Sequence, residues 1–430
     1  MNLEIGLYLL PLLAIMAFYL RRQRRREQTH VAVLQTAVEA GLTEPSSLHP
    51  VIDPRLCLGS KSCVTACPEG AIGIIQGKAQ LVNPASCIGH GACQAACPHD
   101  AIKLVFGSAK RGVDIPVVNP NFETNVPGIF IAGELGGMGL IRKAVEQGRQ
   151  AMESIARLKG GKLPYDVVIV GAGPAGLSAS LGAMEKKLRF VTLEQEDAFG
   201  GTVYHYPRNK VVMTAPVDLP IIGKVKMGEI SKEKLLEFWQ GVLKQTGLKV
   251  NFFERMETIR RDGDGFVVKT SKQEYRTRAV LLSIGRRGTP RKLDVPGEEQ
   301  SKVVYRLIDA EQYRNQKVLV VGGGDSALEA ALAVAAEPGT SVTLSYRSEA
   351  FARVKEKNRQ RLAEAERAGR VKVLLKSNVK RIDNDAVVLD QEGKAITIKN
   401  DAIIVSAGGV LPTPFLKEIG ILVETKYGTA

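Results

Sequence analysis

Cysteine is missing from most of this chain. All six cysteines fall between Cys57 and Cys97 of 430 residues, so none remains elsewhere for structural bridges. Such clustering suits metal ligation in a reducing compartment better than disulfides. Positive charge is missing from the start: no Lys or Arg precedes Arg21, the reverse of the charge order expected of a secretory signal. Aromatic residues make up only 5%, and no basic recognition motif accompanies the net charge of +14, which argues against nucleic acid as a partner. No His/Asp/Ser set and no paired carboxylates stand out as hydrolytic machinery.

The charge gap at the start coincides with an uncharged, apolar run, Ile5 to Leu20, interrupted only by Pro11. A spanning helix needs about 17–25 such residues. Arg21, Arg22, Arg24, Arg25 and Arg26 follow at once. The positive-inside rule then places the N-terminus outside and the remainder in the cytoplasm. We expect a single-pass anchor in the cell membrane; an amphipathic or buried helix is the alternative.

Two stretches combine a β-branched run, a glycine turn and an Ala-rich helical segment. The first is Asp166–Val170 followed by Gly171-Ala-Gly173-Pro174-Ala175-Gly176; the second is Val318–Val321 followed by Gly322-Gly-Gly324-Asp325-Ser326-Ala327. In this pattern the first glycine turns the chain and the second admits backbone N–H groups to a pyrophosphate. The third small residue packs helix on strand. Two such units point to two nucleotides, a flavin and a nicotinamide. Glu194 ends the next strand about 20 residues on, where an acid binds a ribose hydroxyl.

The cysteines form two runs, Cys57-x5-Cys63-x3-Cys67-Pro68 and Cys87-x5-Cys93-x3-Cys97-Pro98. Residues 51–106 resemble bacterial two-cluster ferredoxins, whose runs read C-x2-C-x2-C-x3-C-P with the fourth cysteine serving the other cluster. The resemblance implies that Cys57, Cys63 and Cys97 hold one iron–sulfur cluster and Cys87, Cys93 and Cys67 the other. The second cysteine of each run is replaced, by Ser60 and His90. Those two residues as extra ligands of 4Fe-4S clusters, or 3Fe-4S clusters, both stay open. Zinc, also bound by mixed Cys/His sets, is redox-silent and an odd companion for two nucleotide sites.

From Asp166 onward the chain resembles the thioredoxin-reductase-like flavoproteins, including the flavin-dependent ferredoxin–NAD(P)H reductases. Phe199-Gly-Gly201-Thr202, Tyr206-Pro207, Val280–Gly285 and Ala402–Gly408 carry the likeness. That family closes over its FAD with Pro-Gly-Ile-Phe-x-Ala-Gly-Asp. Here Pro127-Gly-Ile-Phe-Ile-Ala-Gly133-Glu134 stands before the first fingerprint, and nothing comparable follows Gly408. A circular permutation through Lys159–Lys162 accounts for this. It requires 423–430 to lie near 113–122, and Gly136, Gly137 and Gly139 to open a helix facing the flavin. After the second fingerprint, Arg347 stands at the strand end where NAD sites carry an acid, with Ser348 next and Arg353 nearby; this favours NADP over NAD. With no cysteine after Cys97, the dithiol relay of thioredoxin reductases is excluded. His205 is expected either to flank the flavin or to pack in the core.

The expected fold class is α/β: two Rossmann-like three-layer domains, a small α+β ferredoxin-like domain and an N-terminal transmembrane helix. Boundaries are an anchor over 1–26, a linker over 27–50, the ferredoxin-like domain over 51–107, a permuted FAD-domain piece over 108–162, the FAD domain over 163–292, the NAD(P) domain over 293–408 and a return over 409–430. The expected activity moves electrons between NAD(P)H, FAD and a one-electron protein carrier or quinone-linked membrane complex through two iron–sulfur clusters. A redox-sensing or tethering subunit is the alternative, and a homodimer is left open.

Overall fold

The computed structural model describes residues 2–428 apart from 40–42, 46–47, 88, 90, 110–111, 138, 159–162, 207, 209, 214–215, 227, 287 and 352–353; of 2–12, 213 and 289 it describes the backbone only. The chain divides into two compact units, residues 1–112 with 348–364 and 426–430, and residues 113–347 with 365–425.

In the first unit, α1 (Asn2–Glu39) runs unbroken through the arginine block, about 57 Å at 1.5 Å per residue. Its described apolar residues ahead of the arginine block, 13–20, are exposed: Ile15 is 69% and Phe18 68% exposed. Among the described residues no helix is long and apolar enough to cross a membrane. The side chains of residues 5–12, half of the apolar run 5–20, lie outside that set. The stretch expected as a linker is instead helical to Glu39 and docked. Glu27 accepts a hydrogen bond from the Gln76 amide at 2.6 Å, and His30 Nδ1 accepts one from Ile74 N at 3.0 Å. Gly73 leaves room for the His30 ring: a Cβ there would lie 2.7 Å from it.

The segment that α1 contacts is a β-hairpin, β2 (Ile72–Ile75) and β3 (Lys78–Leu81). Its turn, Gln76-Gly77, has both φ angles positive, 50° and 72°, the twist that suits a two-residue hairpin. β1 (His49–Ile52) pairs antiparallel with β4 (Ile102–Val105). Two short helices, α2 (Ser62–Ala66) and α3 (Ala92–Ala95), each follow a left-handed residue, Lys61 at φ 64° and Gly91 at φ 76°. The internal repeat of the sequence is therefore a repeat of backbone shape. Cys57, Cys63 and Cys93 pack with Ile72, Ile74 and Ile102 in the core between these elements.

In the second unit, β7 (Tyr165–Val170) lies between β8 (Phe190–Leu193) and the strand Glu274–Leu282, parallel to both. β6 (Ile129–Ile131) joins the same six-stranded sheet, parallel to Val280–Leu282. Valine, isoleucine and leucine fill these central strands because both faces are covered. The helix α5 (Pro174–Glu185) follows β7, and α4 (Ile141–Ala156) packs on it at Gly148, where a Cβ would meet the Ala175 oxygen at 2.1 Å. A second parallel sheet has the order 303–304, 402–405, 317–321, 341–345, 371–374, beside an antiparallel three-stranded sheet spanning 377–399. The strand Val423–Lys426 pairs with β5 (Val113–Pro116). Val117 N donates to Leu422 O at 2.8 Å, and Thr425 Oγ1 donates to Asp114 Oδ1 at 2.8 Å. Leu416 and Ile421 enter the same core as Ile129, Val168, Leu193 and Val280.

Candidate functional site

The fold sorts the six thiols into two sets of three. One cavity, of about 300 Å³, is lined by Cys57, Cys63 and Cys97, with Ser60, Lys61 and His99 among its walls. The other, of about 350 Å³, is lined by Cys67, Cys87 and Cys93, with Glu69, Gly91 and Leu104. The fourth cysteine of each run thus faces the other run's cavity, the crossing that the sequence pattern implies. Burial pushes the thiols of Cys63, Cys87 and Cys93 upward, so holding them as thiolates needs a positive centre between them, which iron supplies. Backbone N–H groups also reach sulfur: Ala79 N lies 3.4 Å from Cys57 Sγ. No group of three His, Cys, Asp or Glu among the described residues is close enough to hold a single metal ion; three thiols lining one cavity, without a disulfide, suit the wider spacing of an iron–sulfur cluster. His90 lies outside the described residues.

The first dinucleotide loop is held open by its glycines. Gly171 has φ 102°, and a Cβ there would lie 2.6 Å from the Ser283 oxygen. At Gly176 it would lie 1.8 Å from the Gly171 oxygen, so α5 seats directly on the turn. Gly173 is different: its missing Cβ would meet only Gly201 Cα, at 3.9 Å. Gly201, at φ 54°, opens the turn carrying Thr202 and packs against that loop. Glu194 is 7% exposed. Its Oε2 accepts from Ala172 N at 2.8 Å and its Oε1 from Glu196 N at 3.1 Å, and burial still raises its pKa. Each oxygen retains a lone pair for a ribose hydroxyl.

Residues that precede this loop in sequence return beside it. Gly133, at φ 86°, would put a Cβ 3.0 Å from that of Ala175, and its N–H donates to Gln147 Oε1 at 2.8 Å. Glu134 opens the 3-10 turn Glu134–Gly136. Gly136 and Gly137 belong to that turn, and α4 begins later than expected, at Ile141. Pro174 takes the first position of α5, where its missing N–H costs nothing. His205 is neither core nor free: it is half-buried, contacts the Arg306 guanidinium and meets the Tyr204 ring edge-on.

The second loop repeats the geometry. Gly322, at φ 146°, abuts the Ser406 oxygen, Gly324 caps the helix Asp325–Ala335, and Ala327 is fully buried beneath it. Ser326 lies exposed in the first turn, and Arg347 is exposed two residues beyond the strand Ser341–Ser345. The Tyr346 ring lies over Gly323, where a Cβ would come within 2.1 Å of it. Arg353 lies outside the described residues. Sequence reading gave no role to Ser283, although its hydroxyl binds the carbonyls of Val170 and Gly171 at 2.8 and 3.0 Å. It also overlooked Tyr346 and the polar walls Lys61, Glu69 and His99. Only their offsets within the glycine and cysteine motifs signalled them.

The model of the pyridine nucleotide-disulphide oxidoreductases matches residues 168–429. The chain belongs to this family. It is an FAD- and NAD(P)-dependent oxidoreductase, and residues 49–98 match a 4Fe-4S dicluster domain. A ferredoxin–NADP reductase from Ignicoccus hospitalis is 32% identical over 271 residues, covering 61% of this chain and 83% of that protein. One from Pediococcus pentosaceus is 36% identical over 209 residues, covering 47% of this chain and 59% of that protein, so the chain spans little more than half of that relative. The structure of bacillithiol disulfide reductase Bdr from Staphylococcus aureus aligns with a TM-score of 0.53 at 26% identity, over 61% of this chain and 84% of that one.

Proposed function

We propose that this oxidoreductase exchanges electrons between NADPH and a one-electron protein carrier of the ferredoxin kind through two iron–sulfur clusters. The observation that carries the reading is the sorting of all six cysteines into two sets of three, with none left for a thiol relay. A bound flavin would supply the exchange between two-electron hydride and single electrons, and clusters held by the six cysteines would supply a one-electron relay. The chain's own residues do the rest. Gly171–Gly176 and the start of α5 bind the flavin pyrophosphate, Glu194 its ribose, and Gly133, Glu134, Gly201 and Thr202 line its other side. Gly322–Ala327 bind the nicotinamide dinucleotide, with Asp325 and Ser326 in the first helical turn and Arg347 placed for a 2′-phosphate. Cys57, Cys63 and Cys97 hold one cluster; Cys67, Cys87 and Cys93 hold the other.

Three finer readings belong to this proposal. The flavin domain is circularly permuted; in support, β6 lies in the flavin sheet and Val423–Lys426 pairs with β5. The exposed apolar residues of α1, followed by arginines, anchor the protein to the cell membrane with its catalytic part in the cytoplasm. A quinone-linked membrane complex is then a second possible acceptor. Anaerobic titration with NADPH and NADH, followed optically and by EPR, tests the reading. The expected result is flavin bleaching first and cluster signals after it, with NADPH effective at lower concentration. Absence of iron and acid-labile sulfide would overturn it.

A further inference from the structure

The two cysteine cavities are built by one repeated backbone, so differences in charge between them are isolated from differences in shape. Lys61, ahead of α2, corresponds to Gly91 ahead of α3, and both take the left-handed conformation. Glu69, two residues after Cys67, corresponds to His99, two residues after Cys97. Because the fourth cysteines cross over, these differences reinforce one another. The cavity of Cys57, Cys63 and Cys97 has Lys61 and His99 in its walls; that of Cys67, Cys87 and Cys93 has Gly91 and Glu69. Lys61 and Glu69 are both half-buried, where screening by salt is weaker than at the surface.

Further contacts point the same way. Lys78 Nζ donates to the Cys57 carbonyl at 2.7 Å, which brings a second ammonium to the first site. At the second, Cys87 Sγ lies 3.9 Å from the Leu48 carbonyl oxygen, a partner that disfavours added negative charge on sulfur. Backbone N–H groups reach sulfur at both sites. Val64 N serves Cys63 as Gln94 N serves Cys93, and Ala79 N serves Cys57 as Gly89 N serves Cys87. Among the described residues, the charged walls differ between the two sites.

We infer that the two cluster sites differ in redox potential, and that the site of Cys57, Cys63 and Cys97 is the higher one and holds the electron first. Adding an electron makes a cluster more negative; Lys61 and Lys78 stabilise that charge and Glu69 opposes it. Net charge around a cluster is among the main determinants of its potential. The inference rests on the cluster reading above and concerns the order of filling, which that reading leaves unspecified.

The test is an EPR-monitored redox titration of the anaerobically purified full chain, with the two signals assigned through Cys63→Ser and Cys93→Ser. At half-reduction of the first site, fewer than one in ten second sites should be reduced, a separation of at least about 59 mV for one electron. Lys61→Gln should lower the first potential and leave the second in place; Glu69→Gln should raise the second and leave the first. Coincident potentials, a reversed order, or variants that leave their own site unmoved would overturn the inference without touching the proposed function. Absence of iron would overturn both.

Discussion

A methyl group on Gly176 would sit 1.8 Å from the Gly171 carbonyl oxygen, with the Ser283 hydroxyl 2.7 Å away. Gly176→Ala should therefore force α5 off its turn and cost about 1–3 kcal/mol of stability, read as a lower Tm and loss of flavin together. Gly173→Ala makes no such clash, the nearest atom being 3.9 Å away. It should fold with a Tm close to the parent's and yet retain less flavin, because the methyl occupies the approach to the pyrophosphate. Equal effects from the two substitutions would contradict the division of labour argued for the loop. Arg347 offers a third residue-scale test. Arg347→Ala should raise KM for NADPH about tenfold, about 1.4 kcal/mol, and leave KM for NADH nearly unchanged. The glycines were legible in the sequence because glycine at these fixed offsets marks a tight turn and a close approach of helix to strand; the strand-end position of Arg347 was legible too, and its role rests on the KM comparison. Ser283 was not, because a serine at a strand end announces nothing until the facing carbonyls are in place.

At the scale of elements, the strand Glu274–Leu282 ends a buried polar network in which Tyr275 and Thr270 both donate to Glu254 Oε1, at 2.9 and 2.8 Å. Burial, and then the Glu254 carboxylate, push the Tyr275 hydroxyl up to about 12. A pKa raised on folding means stability that is complete below the ordinary tyrosine value of about 10 and is lost as pH rises through the folded value. Denaturation midpoints of the parent should fall between pH 10 and 12 more steeply than those of Tyr275→Phe. The helix α1 supplies the other element-scale prediction. Removing residues 1–26 keeps Glu27 and His30 on the β2–β3 hairpin and should release a flavin-bound protein from membranes. If the full chain never associates with membranes, the anchor proposal fails. That α1 continues past its arginines was not readable from hydropathy. Residues 27–39 mix polar with apolar residues, and their helix docks through a histidine whose partner lies 44 positions away.

At the scale of the molecule, the two Rossmann-like units could be read from sequence because strand, glycine turn and helix are local signals repeated in order. The crossed assignment of Cys67 and Cys97 came from family likeness, and the cavities follow it. The inequality of those cavities had no local sequence signal, since Lys61 and Glu69 act on clusters that neighbouring turns complete. The central claim is that electrons pass from nicotinamide through the flavin to the clusters and only then to the carrier. The direct measurement is anaerobic reduction of a ferredoxin-type carrier by NADPH, catalysed by the Cys63→Ser/Cys93→Ser double variant. Flavin bleaching should proceed at the parent's rate, since both glycine loops are untouched, while carrier reduction should fall by orders of magnitude. Carrier reduction at the parent's rate by protein lacking both clusters would contradict the account.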